Sequence, residues 1–389
     1  FLVSNFKDQF RPKAIAVSDG KAMRLSKSMT KLMDNLAKDL PSAFESKAYL
    51  KRLTVIKKRY SDKQNKLFKK IEKFAADKHL QIVKSDDEFE TIPIVAGKPI
   101  TLEDFSKLSK RKKTEIEANI RLVQSQIEIA SVEVDKLTSA LHTDIEKLMD
   151  ETTLSVVKSR LEKIRTEFKV NRSMLTHLDE VEQDIVENVN LFMPSEENNS
   201  SEKNIAGLPQ QSKLQRYRVN ILTNQDAKKG APVIFEANPT YHNVMGRIEK
   251  RAYMGTVTTD FTMVQAGALL NANGGFLIMD MESVLMNPYV WETLKRTLRT
   301  KCLTIEDITE ETGFGTVSLR PEPIALEVKV ILLGSYDHFE ALQNHDPRFN
   351  KIFKVRADFD FETDLTPETI KLYARFIARA CREENLLPF

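Results

Sequence analysis

Between Pro99 and Pro194 the chain contains neither glycine nor proline. Without a strong breaker the backbone has no local reason to leave a helix, so long helices are predicted across this stretch. Within it Ile116, Ile120, Val123, Ile127, Ala130, Val134, Leu137 and Leu141 step by four and three residues and fall on one stripe, a heptad seam. Leu154, Val157, Leu161, Ile164 and Phe168 keep the same steps, but Leu141, Ile145 and Leu148 slip the phase between the two runs. The slip predicts two packed helices joined near Asp150 to Thr153. Upstream, Ser26 to Leu40 and Ser42 to Lys78 read as helices with Pro41 between them. Weak alternation at Leu80 to Val83 and Thr91 to Val95 predicts a small hairpin within residues 80–95.

The composition changes near residue 200. Of the 12 glycines only Gly20 and Gly97 precede Gly207. Residues 195–214 are polar and aperiodic, which predicts a flexible linker. Beyond it, Val219 to Leu222, Val233 to Phe235, Phe276 to Met279 and Val328 to Leu333 are short branched runs, suited to strands buried on both faces. Helical stretches at Ala266 to Ala272 and Pro288 to Arg299 and a short strand at Cys302 to Ile305 alternate with them. The fold class predicted is a three-layer α/β domain with a mainly parallel sheet, plus a long all-α coiled-coil insertion. Leu2 and Val3 are expected to add a strand to that sheet, so residues 1–19 and 215–389 form the α/β core and 20–194 the inserted arm.

Charge narrows the function. The 59 basic and 56 acidic residues leave a net charge of +3, too weak a field to draw in a polyanion, so nucleic acid is disfavoured as a partner. Cys302 and Cys381 form neither a disulfide framework nor a zinc set, and a reducing, cytoplasmic home is expected. No apolar run reaches the about 18 residues a membrane span needs. The opening Phe-Leu-Val-Ser-Asn-Phe has neither an initiator methionine nor a charged leader, so the chain is expected to be an interior piece of a longer protein.

The most informative motif is Gly274-Gly275-Phe-Leu-Ile-Met-Asp280-Met281-Glu282. Four apolar residues ending in aspartate is the Walker B pattern, whose carboxylate holds Mg²⁺ beside nucleotide phosphates. A buried strand whose last aspartate caps the next helix has the same sequence. The apolar run Val330 to Gly334, ending in Ser335, supplies a second strand of the kind such a site needs. A phosphate loop is absent from the sequence: Gly20-Lys21 and Gly97-Lys98 lack both the preceding glycine and the following hydroxyl.

A family resemblance rests on Gly-Arg-Ile-Glu (246–249), Thr-Asp-Phe-Thr (259–262), Ala-Gly-Ala-Leu (266–269), Asn-Gly-Gly-Phe-Leu (273–277) and Val-Ser-Leu-Arg-Pro-Glu-Pro-Ile (317–324). Asn5-Phe6-Lys-Asp8-Gln-Phe-Arg11-Pro12-Lys-Ala14 and Tyr373-Ala-Arg-Phe-Ile-Ala-Arg-Ala-Cys-Arg-Glu-Glu extend it to both ends. The chain resembles the AAA+ part of Lon-like proteases of the LonB and LonC type. The resemblance implies a Walker A loop upstream, a Ser-Lys protease domain downstream, ATP with Mg²⁺ as the family's cofactors, assembly as a homo-oligomer in a hexameric ring, and unfolded or misfolded proteins as substrates. It also implies which residues to inspect. Asp280 is the Walker B carboxylate and would hold Mg²⁺ only if nucleotide binds. The next position, where such ATPases carry a water-polarising Glu, is Met281, which cannot accept a proton. Ser335 takes the sensor position usually held by Asn. The arginine-finger positions hold Asn350 and Ile352, leaving Arg348 and Lys351 as the nearest cations. Tyr253-Met254-Gly255 stands where translocases place a pore loop that grips unfolded chains, so Tyr253 and Met254 are substrate-contact candidates.

The leading expectation is a degenerate AAA+ and coiled-coil region that serves assembly and substrate delivery and hydrolyses nothing itself. A non-enzymatic coiled-coil scaffold and a DNA-engaging AAA+ module are the alternatives; the first does not need an ordered α/β segment, and the balanced charge disfavours the second.

Overall fold

The computed structural model describes residues 1–18, 20–85, 88–95, 98–100, 105, 108–194, 210–224, 230–253, 256–287, 289–307 and 319–387. The first half runs β1 (Leu2–Val3), β2 (Lys13–Ala14), α1 (Lys21–Phe44), α2 (Lys47–Asp77), β3 (Leu80–Ser85), β4 (Glu88–Val95), β5 (Lys98–Pro99), α3 (Lys110–Glu167) and α4 (Arg172–Glu187).

Pro41 does not separate two helices, as its position had suggested; it lies in the last turn of α1. The chain breaks at Glu45 and Ser46 instead, because the Ser46 side chain accepts from the backbone N–H of Tyr49 and starts α2. Likewise α3 is one helix of 58 residues, about 87 Å at 1.5 Å per residue, and passes through Asp150 to Thr153 without interruption. The phase slip is absorbed by a change of partner. Asn119 reaches the carbonyl of Lys78, Tyr60 donates to Asp144 at 2.8 Å, and Arg52 pairs with Glu151 at 2.6 Å, so α2 runs antiparallel along the first part of α3. Beyond it Arg160 pairs with Asp39 of α1, and Arg165 with Asp179 of α4. A stripe that rotates between two sets of neighbours needs no break. Every residue of the predicted seam is buried or half-buried, with Val123, Val157 and Leu161 fully enclosed. At the far end β3 and β4 pair antiparallel, and Leu80 packs with Ala75 and Val123.

The second half runs β6 (Val219–Asn220), β7 (Val233–Glu236), α5 (Tyr241–Met245), β8 (Gly246–Ile248), β9 (Arg251–Tyr253), β10 (Thr256–Thr258), β11 (Val264–Ala266), α6 (Ala268–Asn271), β12 (Phe276–Asp280), α7 (Met281–Met286), α8 (Val290–Thr300), β13 (Cys302–Leu303), β14 (Ile324–Ala325), β15 (Lys329–Leu333), α9 (Tyr336–His345), α10 (Phe349–Ile352) and α11 (Pro367–Glu383). Its parallel sheet has the order β15-β12-β7, in register Ile331↔Ile278↔Phe235. Gly275, just before β12, lies against the residue that leads into β7: a Cβ there would lie 2.0 Å from the carbonyl oxygen of Pro232.

Three expectations are corrected. β1 does not join the parallel sheet; it pairs antiparallel with β2 and β6. Its two side chains point into different cores, Leu2 into that of the α/β half and Val3 into that of the arm's base, so the strand joins the two. The strand near Cys302 lies outside the parallel sheet as well, pairing antiparallel with β14. Nor is the parallel sheet buried on both faces. Leu277 and Met279 pack with Val244, Leu269, Val284 and Leu294 on one face, while Val233, Phe235, Phe276, Ile331 and Leu333 on the other are exposed. The described residues therefore form a mixed α/β fold with a small parallel sheet and a long helical insertion, and not a complete three-layer sandwich.

Of the polar stretch 195–214, residues 195–209 lie outside the described residues; Gln210–Tyr217 is a 3-10 helix. Tyr217 plugs the base of the arm, donating to Asp184 at 2.6 Å while Arg216 pairs with the same carboxylate at 2.8 Å. Burial raises the Asp184 pKa against the opposing pull of those two partners.

Candidate functional site

Parallel strands bring their C-terminal ends to one edge, where α/β proteins place ligands. Here that edge holds Asp280, which stands beside Leu333 in the ladder, and Ser335 two residues beyond. Both side chains are committed to helix starts. The Asp280 carboxylate accepts from the Ser283 backbone N–H and hydroxyl, each at 2.8 Å, and caps α7. Those bonds hold its pKa below the usual carboxylate value, with a smaller contribution from nearby His338. Ser335 caps α9 by accepting from the His338 backbone N–H, and its hydroxyl lies 3.0 Å from His338 Nδ1. Asp280 thus caps α7 through one carboxylate oxygen, Oδ2.

Met281, the residue after Asp280, faces inward. It is buried with Leu342 and Phe349, and a Cβ on Gly334 would come within 3.0 Å of its own Cβ. A charged Glu at this position would have to enter an apolar cluster, which its desolvation cost disfavours. Glu282 is one residue late, in the first turn of α7.

Arg348 and Lys351 lie at the start and within α10 and are exposed. They are carried by a fixed support that the sequence reading missed. Asp346 accepts from Trp291 Nε1 at 2.9 Å and pairs with buried Lys295, which also pairs with Glu292 at 2.7 Å. Burial opposes the charge on Lys295, but its two carboxylate partners outweigh it and raise its pKa. Burial likewise works against the Asp346 carboxylate, yet the bonds from Lys295, the Arg348 backbone and Trp291 leave its pKa lowered. Phe353 stacks on both Trp291 and Phe349 beside this pair. A Trp and a Lys four residues apart on α8, facing an Asp-Pro turn, were the signal available in the sequence.

Tyr253 ends β9, its backbone opposite Thr256 of β10, so the chain turns back at this point. Met254 and Gly255 lie outside the described residues. Among the described residues no group of three or more His, Cys, Asp or Glu is arranged to hold a metal, and no helix is long and apolar enough to cross a membrane.

Residues 229–360, about a third of the chain, match the family model described as LonB-like, AAA domain. This places the segment carrying the parallel sheet and its C-terminal edge at the family level as AAA+ and LonB-like. No curated protein matches the chain.

Proposed function

We propose that this chain is the degenerate AAA+ and coiled-coil region of a Lon-like protease, an endopeptidase La-like enzyme whose Ser-Lys protease domain lies outside it. Its role is assembly into a ring and delivery of unfolded protein, and it does not itself hydrolyse ATP. The observation that carries this reading is the coincidence of the LonB-like match with a strand edge where Asp280 is followed by a buried Met281. Asp280 and Ser335 are the remnants of a nucleotide site, Arg348 and Lys351 the exposed cations nearest a neighbouring subunit's site, and Tyr253 with Met254 the pore contacts. ATP and Mg²⁺ are the cofactors of the family; in this chain Asp280 would supply the Mg²⁺ contact through the carboxylate oxygen that its cap leaves free.

The test is proteolysis by the longer protein. With the downstream coding region included, it is expected to cleave unfolded casein. Tyr253→Ala should slow casein cleavage while sparing a short peptide that needs no threading. Failure to cleave either substrate would refute the protease reading, and equal loss on both substrates would refute the pore role.

A further inference from the structure

The even charge balance of the chain hides an uneven distribution on the arm. Helix α2 carries 11 basic residues against only Asp62, Glu72 and Asp77. Its buried and half-buried positions, among them Leu53, Tyr60, Leu67, Ile71 and Phe74, recur with the helical period and face α3. The opposite side of α2 presents Lys58, Lys66, Lys69 and Lys73, all exposed and none of them ion-paired among the described residues.

Helix α3 has the converse surface. On the side directly away from its seam, Leu122, Ile129 and Val132 are 50%, 58% and 54% exposed. With the exposed Ala118 and Ser125 they step by four and three up to Lys136, a second heptad stripe that nothing described covers. Glu128 and Asp135 flank it on one side and Glu133 on the other, all exposed. The two surfaces also stand at one height. Tyr60 meets Asp144 and Ala75 packs with Val123, so residues 61–74 of α2 run alongside 124–143 of α3. The lysines at 66, 69 and 73 are therefore level with the acids at 128, 133 and 135. Lying on opposite sides of one helical pair, they cannot meet within a chain, but they do meet when a second arm stands beside the first.

We propose that the occupant of the α3 stripe is the outer side of α2 from a second copy of this chain, the two arms standing side by side and pointing the same way. Lysine stems are apolar, so each lies over Leu122, Ile129 or Val132 and still carries its ammonium to a carboxylate. Opposite charge selects this pairing. Two α2 surfaces would set lysine against lysine, and two α3 surfaces would leave the lysines uncompensated. The contact is heterologous, each arm giving one side and receiving on the other, so it repeats from copy to copy. It needs only the two sides of the arm and does not rest on the protease reading above.

Sedimentation of this chain across a range of concentrations tests the contact. Self-association is expected, and raising the ionic strength from about 0.1 M to 1 M, which shortens the Debye length from about 10 Å to 3 Å, should weaken it at least about tenfold. Reversing the lysines (Lys66→Glu, Lys69→Glu, Lys73→Glu) or, in a separate chain, the acids (Glu128→Lys, Glu133→Lys, Asp135→Lys) should weaken it to a similar extent. An equimolar mixture of the two variants should associate again, because each then meets its complement. All six positions are exposed, so neither variant's melting temperature should move at a dilution where the wild type is monomeric. Ile129→Ser alters no charge and should also weaken association, a check that does not rely on the folding of either triple variant. A chain that stays monomeric at every attainable concentration would overturn the proposal, as would a mixture that fails to recover. Association indifferent to both reversals would place the interface elsewhere and overturn it. So would retention of duplex DNA without self-association, lost on reversing the lysines, since the basic side would then belong to a nucleic acid.

Discussion

His177 shows how much a single buried side chain decides at the base of the arm. It is stacked on Phe6 at 5.8 Å, and its Nδ1 is buried without a partner. Burial first, and the charge of Lys13 second, lower its pKa from 6.5 to about 3. A base whose folded pKa is depressed binds its proton better when unfolded, so its contribution is fully present above about pH 6.5 and is lost as pH falls toward 3. The full loss is on the order of 5 kcal/mol. Asp184, with its pKa raised above 3.8, acts in the opposite sense: its contribution is present at low pH and fades as pH rises through the raised value. His177→Phe keeps the flat ring and removes the titration. The melting temperature of the wild-type chain is expected to drop more than that of the variant between pH 7 and pH 4, and parallel curves would contradict the assignment. At the sheet edge, Asp280→Ala should cost about 1 kcal/mol through loss of the α7 cap, and Asp280→Asn much less, because an amide oxygen still accepts from Ser283. Urea melts of the two variants measure the difference.

At the scale of elements the arm was legible because helices and heptads are local, and its joints were not. The stripe from Ile116 to Leu141 could be read residue by residue, whereas the junction placed near Asp150 was inferred from a phase slip whose cause is the exchange of α2 for α1 and α4 along one helix. Pro41 misled for a related reason: a proline marks the end of a helix only to within a turn, and the capping hydroxyl of Ser46 fixed the break. In the α/β half the runs at 233, 276 and 329 became parallel strands, but their apolar composition could not say that one face would stand uncovered. Asp280 and Ser335 could be placed from the sequence at the ends of two apolar strands, but the sequence does not show that both side chains cap helices. Continuity of α3 has a direct test. Asp150 is exposed, so Asp150→Pro perturbs little besides the backbone and should cost about 3 kcal/mol or more if the helix passes through it. A loop at this point would tolerate the proline, and an unchanged denaturation midpoint would restore the two-helix arrangement.

The long helical arm and the α/β half meet at β1, with Leu2 in one core and Val3 in the other. β2 and β6 flank β1 at this junction, and the Tyr217 plug sits beside it in the core of the arm's base. The C-terminal edge of the parallel sheet, proposed above as the remnant of a nucleotide site, is incomplete in its chemistry. The sequence has no phosphate loop, Met281 follows Asp280 with a side chain that cannot accept a proton, and the Asp280 carboxylate already serves the Ser283 backbone and hydroxyl. A ligand stabilises a folded protein only by binding it, so millimolar Mg-ATP is expected to leave the melting temperature of this chain unchanged. A site with a dissociation constant one hundredth of the nucleotide concentration would add about 2.7 kcal/mol and shift the transition visibly. Phosphate release should likewise stay at background, far below the usual enzyme range of about 1 per second and above. A thermal shift that Asp280→Ala abolishes would show that the carboxylate still recruits Mg²⁺, and the site would have to be read as active in binding. A shift that survives Asp280→Ala would place nucleotide elsewhere on the molecule and remove the sheet edge from the argument.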